Sequence, residues 1–146
     1  MERRDFIATI GAAVAAAASV SPVLAEEKAK PAPHHHPAKY KAVSDAAAKC
    51  VLDGNNCLRH CFGMLSMNDA SMADCTKATF DTIAACGALE SLASVNSDFT
   101  PAMAKTVAAI CEACKKECDK FPDVAECNAM GASCKTCAEE CHKIAA

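Results

Sequence analysis

Aromatic residues are scarce in this chain of 146 residues, which has no Trp, one Tyr and five Phe. The strands of a β-sandwich favour aromatic and β-branched side chains, so this composition argues against that fold. The chain also lacks a basic stripe with interleaved aromatic residues, and its formal net charge is −3. Nucleic acid is therefore not an expected partner. The length is that of a single domain.

The apolar run of residues 8–20 is too short and too rich in Ala for a good membrane-spanning helix, so we expect no stable membrane insertion of the mature chain. It follows Arg3 and Arg4 and leads to small residues at Ala25, which is typical of a twin-arginine export signal. We predict that residues 1–25 are this signal and that the mature protein is periplasmic. An ordinary secretory signal or an N-terminal anchor is the alternative. The twin-arginine route carries folded proteins, which would protect thiols from random disulfides outside the cytosol.

Residues 26–43 are rich in Lys, Pro, Ala and His, and we predict a flexible linker there. The run of His34, His35 and His36 could capture a metal ion. A polar tether is the favoured interpretation of the same residues.

Twelve cysteines dominate the rest of the chain, and their spacing is helical. Steps of three, four and seven residues place side chains on one face of an α-helix, where a helical bundle normally has Leu or Ile. Cys127, Cys134, Cys137 and Cys141 form such a face, and the residues between them are polar or small. The sequence therefore predicts helices whose inward face is made of thiols.

Four helical segments are predicted within residues 44–146. Asn68-Asp69, Asn96-Ser97-Asp98 and Phe121-Pro122 separate them. Each segment begins with a residue suited to capping a helix: Ser44, Ser71, Thr100 and Asp123. Short loops between long helices make neighbours antiparallel. We therefore predict an all-α fold, an antiparallel up-down-up-down four-helix bundle with a Cys-lined core.

Thiolates along a helix face suit soft metal ions, above all Cu(I), which accepts two or three sulfur ligands. Cys57 and Cys61, four residues apart on one helix, could share one ion. Many such sites could lie side by side across a bundle, with bridging thiolates. We predict that all twelve cysteines bind multiple Cu(I) ions: Cys50, Cys57, Cys61, Cys75, Cys86, Cys111, Cys114, Cys118, Cys127, Cys134, Cys137 and Cys141.

Other roles of the cysteines remain alternatives. Structural zinc could use the pairs Cys111/Cys114 and Cys134/Cys137, although these lack the turn residues of a zinc knuckle. Iron–sulfur clusters use loops rather than helix faces. Disulfides could staple the helices, but thiols within one helix are about 5–6 Å apart at Cβ, too far for a bond. No βαβ context surrounds the C-x-x-C motifs, so we do not expect an enzyme.

Methionine and histidine gather around the first predicted turn. His60, Met64, Met67 and Met72 flank Cys61 and Cys75 in the sequence. Thioether and imidazole bind Cu(I) more weakly than thiolate does, so these residues could take up ions and pass them inward. Filling of gaps in the core is the alternative role for the methionines.

The motif Cys134-x-x-Cys137-Ala138-x-x-Cys141, the Cys-lined helices and the export signal resemble those of the exported branch of the four-helix-bundle copper storage proteins. The resemblance covers roughly residues 44–146. It implies about one Cu(I) per Cys, assembly as a homotetramer, and supply of copper to an acceptor protein such as a periplasmic or membrane cuproenzyme. This chain has no Cys between Cys75 and Cys86, so its second helix is less densely lined.

Overall fold

Four helices make up most of residues 35–145, the part of the chain that the computed structural model describes. The predicted signal, residues 1–25, lies outside the described residues, as does the linker up to His34. His35 and His36 are exposed. The helices are α1, α2, α3 and α4, with the bounds Lys41–Ser66, Ala73–Ser94, Thr100–Cys118 and Ala125–Ile144.

The helices form a closed ring of neighbours. α1 packs against α2 and α4, and α3 packs against the same two helices. Short loops join consecutive helices, which therefore run antiparallel. Residues 35–145 contain no strand. The predicted all-α fold, an up-down-up-down four-helix bundle, is confirmed.

The predicted helix caps are wrong, because no side chain makes a capping hydrogen bond at the start of any of the four helices. α1 begins at Lys41, so Ser44 already lies in its first turn and the last residues of the predicted linker are helical. The Ser44 hydroxyl instead lies 2.9 Å from that of Ser94 on α2. A contact between helices has replaced the local capping bond.

The loops explain the other three failed caps. The backbone N–H of Ser71 donates to the Asp69 carboxylate at 2.9 Å, within the turn that precedes α2. The Thr100 hydroxyl donates to the Ser97 carbonyl at 2.7 Å, and α3 begins at Thr100 itself. α4 begins at Ala125, with Val124 rather than Asp123 at its cap position.

Asparagine ends the first two helices, as the sequence predicts. Asn68 and Asn96 have φ angles of 61° and 56°. Short polar side chains tolerate this left-handed conformation, which lets the next N–H reach back to a free helix carbonyl. Asp69 N–H donates to Met64 and Ser97 N–H donates to Leu92, each at 3.0 Å. The antiparallel turns are thereby closed.

Gly54 allows α1 and α2 to approach closely. A Cβ atom at this position would lie 2.6 Å from Cγ1 of Ile83 on α2. Glycine lowers helix propensity, yet α1 continues through Gly54 and Gly63 to Ser66. Packing against α2 outweighs that local cost at Gly54.

One buried carboxylate ties α1 to α4. Asp53 is 6% exposed and accepts hydrogen bonds from Lys49 on its own helix and from the Ser133 hydroxyl on α4. A buried charge needs such partners. The contact between Asp53 and Ser133 fixes how α1 and α4 face each other.

The two ends of the bundle differ in composition. At the apolar end, where α1 and α3 begin, Val43, Leu89 and Val107 fill the core. At the other end, which we call the methionine end, α1 and α3 finish and the core holds Cys61, Met72 and sulfur from α3 and α4. Aliphatic side chains therefore close one end, and sulfur extends to the other.

Candidate metal centre

All twelve cysteines are buried in the core. Each is at most 1% exposed, and each is a free thiol. Three lie on α1, two on α2, three on α3 and four on α4. The inward direction predicted from the spacing is confirmed, and the disulfide-stapled alternative disagrees with the free thiols. Neighbouring Sγ atoms of different helices lie 3.8–4.0 Å apart, far from the length of about 2.05 Å of a disulfide.

A four-cysteine cluster lies towards the apolar end. It contains one thiol from each helix: Cys50, Cys86, Cys111 and Cys137. All four Sγ atoms lie within 4.8 Å of one another. Cys86 is 3.8 Å from Cys111 and 4.0 Å from Cys137. Four backbone segments that are far apart in sequence thus place sulfur around one point on the bundle axis.

A three-cysteine cluster lies towards the methionine end. It consists of Cys57, Cys61 and Cys75, with the sulfur atoms again within 4.8 Å of one another. Cys127 extends it, at 3.9 Å from Cys57 and 4.0 Å from Cys75. Cys118 lies 3.9 Å from Cys75. The sulfur atoms of all four helices are therefore in contact near this end too.

The four thiols of the alternative zinc site do not form one group in the structure. Cys111, Cys114, Cys134 and Cys137 do not gather as one group of four sulfur atoms within 4.8 Å of one another. Cys111 and Cys137 belong to the four-cysteine cluster, whereas Cys114 and Cys134 belong to neither. Local C-x-x-C spacing places two thiols on one helix face but does not make them ligands of one ion.

The twelve buried cysteines form a column of sulfur atoms inside the bundle. Thr79 also lies in this sulfur column, and the sequence interpretation missed it. It is fully buried, and its hydroxyl oxygen lies 3.8 Å from Cys57, 4.0 Å from Cys75 and 3.7 Å from Cys114. The sequence does indicate this position, because continuing the helical spacing of α2 from Cys75 towards Cys86 leads to Thr79 and Thr82. The Thr82 hydroxyl donates to a backbone carbonyl at 2.8 Å.

The thiols perturb one another's protonation. The pKa of Cys50 is lowered to about 5, because Cys111 and Cys134 donate hydrogen bonds to its thiolate. The pKa of Cys118 is raised, chiefly because its proton is held in a hydrogen bond to Cys114, and burial adds to the effect. Such clusters share protons, with one thiolate stabilised by several neighbouring thiols. The pKa values of thiols in this core are therefore shifted in opposite directions by their neighbours.

The predicted uptake residues lie at the methionine end in different environments. His60 and Met64 are half-buried, and with Met67 they line a surface pocket of about 410 Å³. Met67 is 68% exposed and Met72 only 3%. Glu126, which the sequence interpretation did not include, has a carboxylate oxygen 4.0 Å from Nδ1 of His60. The structure thus brings three of the four residues to one pocket and places Met72 in the core.

Comparison with known proteins identifies the family. The sequence profile described as Csp, copper storage protein, matches residues 36–146. The chain belongs to the copper storage protein family. This finding confirms the family that the sequence resembles, and the family is described by copper storage rather than by a reaction.

Solved structures of a relative have the same fold. One is the apo form of copper storage protein 3 from Bacillus subtilis, at 28% identity and a TM-score of 0.64, covering 73% of this chain and 98% of that one. The Cu(I)-bound form of that storage protein matches with the same identity and TM-score, covering 97% of its chain. No curated protein sequence matched the chain. Within residues 35–145, no helix is both long and apolar enough to span a membrane.

Proposed function

We propose that this copper storage protein holds multiple Cu(I) ions on the thiolates that line the inside of its bundle. The observation that carries the proposal is the burial of all twelve cysteines in one core, with sulfur atoms of different helices in contact. Thiolate selects soft ions, and Cu(I) accepts the low coordination numbers that such a column offers. The Cu(I)-bound state of the Bacillus subtilis relative supports the same cargo.

Charge supports a loading of about one ion per thiol. No Lys, Arg or His is among the buried residues of the described chain. A buried thiolate without a nearby cation is costly, and one Cu(I) per thiolate neutralises it. Each ion that binds releases a proton to solvent, so the loaded core carries no net charge. Filling the column therefore removes the electrostatic cost of ionising it.

The methionine end is the proposed route for ion uptake. His60, Met64 and Met67 line the pocket there, and Met72 and Cys61 lie in the core behind it. Ligands would thus become stronger from the surface inwards, from thioether and imidazole to thiolate. The apolar end offers Leu and Val instead. A variant with Met64→Leu and Met67→Leu should load more slowly with an unchanged final stoichiometry.

The biological setting is proposed from the sequence and the family. The twin-arginine-like segment within residues 1–25 supports export to the periplasm as a folded protein. Family resemblance supports a homotetramer and transfer of copper to an acceptor protein. Storage requires no catalytic step, and the proposal includes none.

An anaerobic titration of the reduced protein with Cu(I) tests the proposal. A chromophoric Cu(I) chelator is present as competitor and reports free copper. We expect tight uptake of about one ion per Cys before the chelator begins to colour. Saturation at one or two ions per chain would contradict storage and would make most of the thiols structural.

A further inference from the structure

The four-cysteine cluster has the geometry of a closed tetrahedral site. Its four sulfur atoms come one from each helix and lie within 4.8 Å of one another. A tetrahedral Zn(II) ion with bonds of about 2.3 Å to sulfur requires ligands about 3.8 Å apart. The separations of Cys86 from Cys111 and Cys137, 3.8 and 4.0 Å, are close to that value. Little movement of the helices would be needed to close the four thiolates on one ion.

The three-cysteine cluster differs in the ligands that it offers. Cys57 and Cys61 come from α1 and Cys75 from α2. Cys127 lies 3.9 Å from Cys57 and 4.0 Å from Cys75, but it does not lie within 4.8 Å of all three sulfur atoms. Three thiolates suit Cu(I) and leave a tetrahedral divalent ion incomplete. The two clusters should therefore respond differently to a divalent soft ion.

We propose that the four-cysteine cluster binds one Zn(II) ion in the copper-free, reduced protein, and that Cu(I) later displaces this ion. The same four thiolates would hold Zn(II) before copper loading and Cu(I) after it, so the displacement step rests on the proposed storage function, whereas the zinc site itself does not. Zinc would hold the four helices together until copper arrives.

Charge explains why zinc would give way to copper. Binding of Zn(II) by four thiols releases four protons and leaves a group of charge −2. The buried residues of the described chain supply no Lys, Arg or His to balance that charge. Four Cu(I) ions on the same four thiolates give a neutral group and release Zn(II), with no change in the oxidation state of either metal. Copper therefore removes a buried charge that zinc leaves in place.

Cobalt(II) is the probe for this site, because it replaces zinc in tetrahedral sites and absorbs visible light there. Reduced, metal-free full-length protein is titrated with Co(II) under anaerobic conditions. We expect tetrahedral d–d bands and sulfur-to-cobalt charge transfer that saturate at one ion per chain. Added Zn(II) should abolish the spectrum, and added Cu(I) should then release the zinc to a chromophoric zinc chelator. Absence of a tetrahedral thiolate spectrum would overturn the proposal.

Two variants on one helix make the test specific. Cys50→Ser removes a ligand of the four-cysteine cluster and should abolish the tetrahedral spectrum. Cys61→Ser makes the same change at an equally buried position of the other cluster and should leave the spectrum intact. Equal spectra in the two variants would refute the assignment. If Cys50→Ser loses its helical circular dichroism, Cys137→Ser takes its place.

The outcomes are separable from those for copper storage. A protein that takes up about one Cu(I) per Cys but gives no tetrahedral Co(II) spectrum refutes the zinc site alone. A protein that binds one Co(II) tightly but saturates at one or two Cu(I) ions refutes storage and the displacement of zinc by copper, and it leaves the zinc site itself supported.

Discussion

Thr79→Cys should raise the copper capacity of the protein by about one ion per chain. The Thr79 hydroxyl lies 3.7–4.0 Å from the sulfur atoms of three cysteines on three helices. Contacting sulfur atoms elsewhere in the column are 3.8–4.0 Å apart. A thiol at this position would therefore stand at the same spacing as the native ligands. It would also add a Cys to the helix that has the fewest.

The substitution should cost little stability. Thr79 is fully buried. Cys lacks the methyl group of Thr, but its larger sulfur atom gives the two side chains nearly the same volume. Near-isosteric changes in a core usually alter the free energy of unfolding by less than about 1.5 kcal/mol. Urea unfolding of the reduced apo-protein would check that the bundle stays intact.

The assay is the competitive Cu(I) titration, performed in parallel on wild type, Thr79→Cys and Thr79→Val. The Val variant keeps the shape of Thr, adds no ligand and should load as the wild type does. An unchanged capacity in a well-folded Thr79→Cys protein would refute the idea that the number of inward thiols sets the loading.

Three further predictions follow from particular contacts. Gly54→Ala should destabilise the bundle by about 1–3 kcal/mol, because the added Cβ would meet Ile83 on α2. Gly63→Ala has no neighbouring atom within 4 Å of the added Cβ and should stabilise the bundle by about 1 kcal/mol through its higher helix propensity. Urea unfolding measures both, and the opposite ranking of the two variants would contradict the packing account. Ser133→Ala should cost about 1–3 kcal/mol in the same assay because it removes a partner of the buried Asp53, and an unchanged midpoint would show the contact to be unimportant. Affinity for Cu(I) should fall as the pH is lowered, because thiols with raised pKa values, such as Cys118, must lose their protons to bind the ion. Competition with a Cu(I) chelator at several pH values measures the affinity. An affinity that does not change with pH would refute the prediction.

The sequence predicts the inward face of each helix well, because a side-chain period of 3.6 residues fixes direction within a helix. Cys134, Cys137 and Cys141 needed no structure to be placed on one face, and all are fully buried. The breaks at Asn68 and Asn96 were also predictable, since few residues other than Gly tolerate a positive φ angle.

Relations between helices could not be predicted in the same way. The period of one helix does not specify its height or rotation against the next, so the grouping of Cys50 with Cys86 and Cys137 required the fold. The contact of Asp53 with Ser133 depends on the same relation. Helix caps contribute only about 1 kcal/mol each, so contacts between helices, such as that of Ser44 with Ser94 on α2, can take their place.

Anomalous diffraction at the copper edge, from crystals of the Cu(I)-loaded protein, tests the central claim most directly. The account predicts a row of copper peaks inside the bundle, bound to sulfur and running from the three-cysteine cluster to the four-cysteine cluster. Copper confined to the surface, for example at His35 and His36, with an empty core would contradict it.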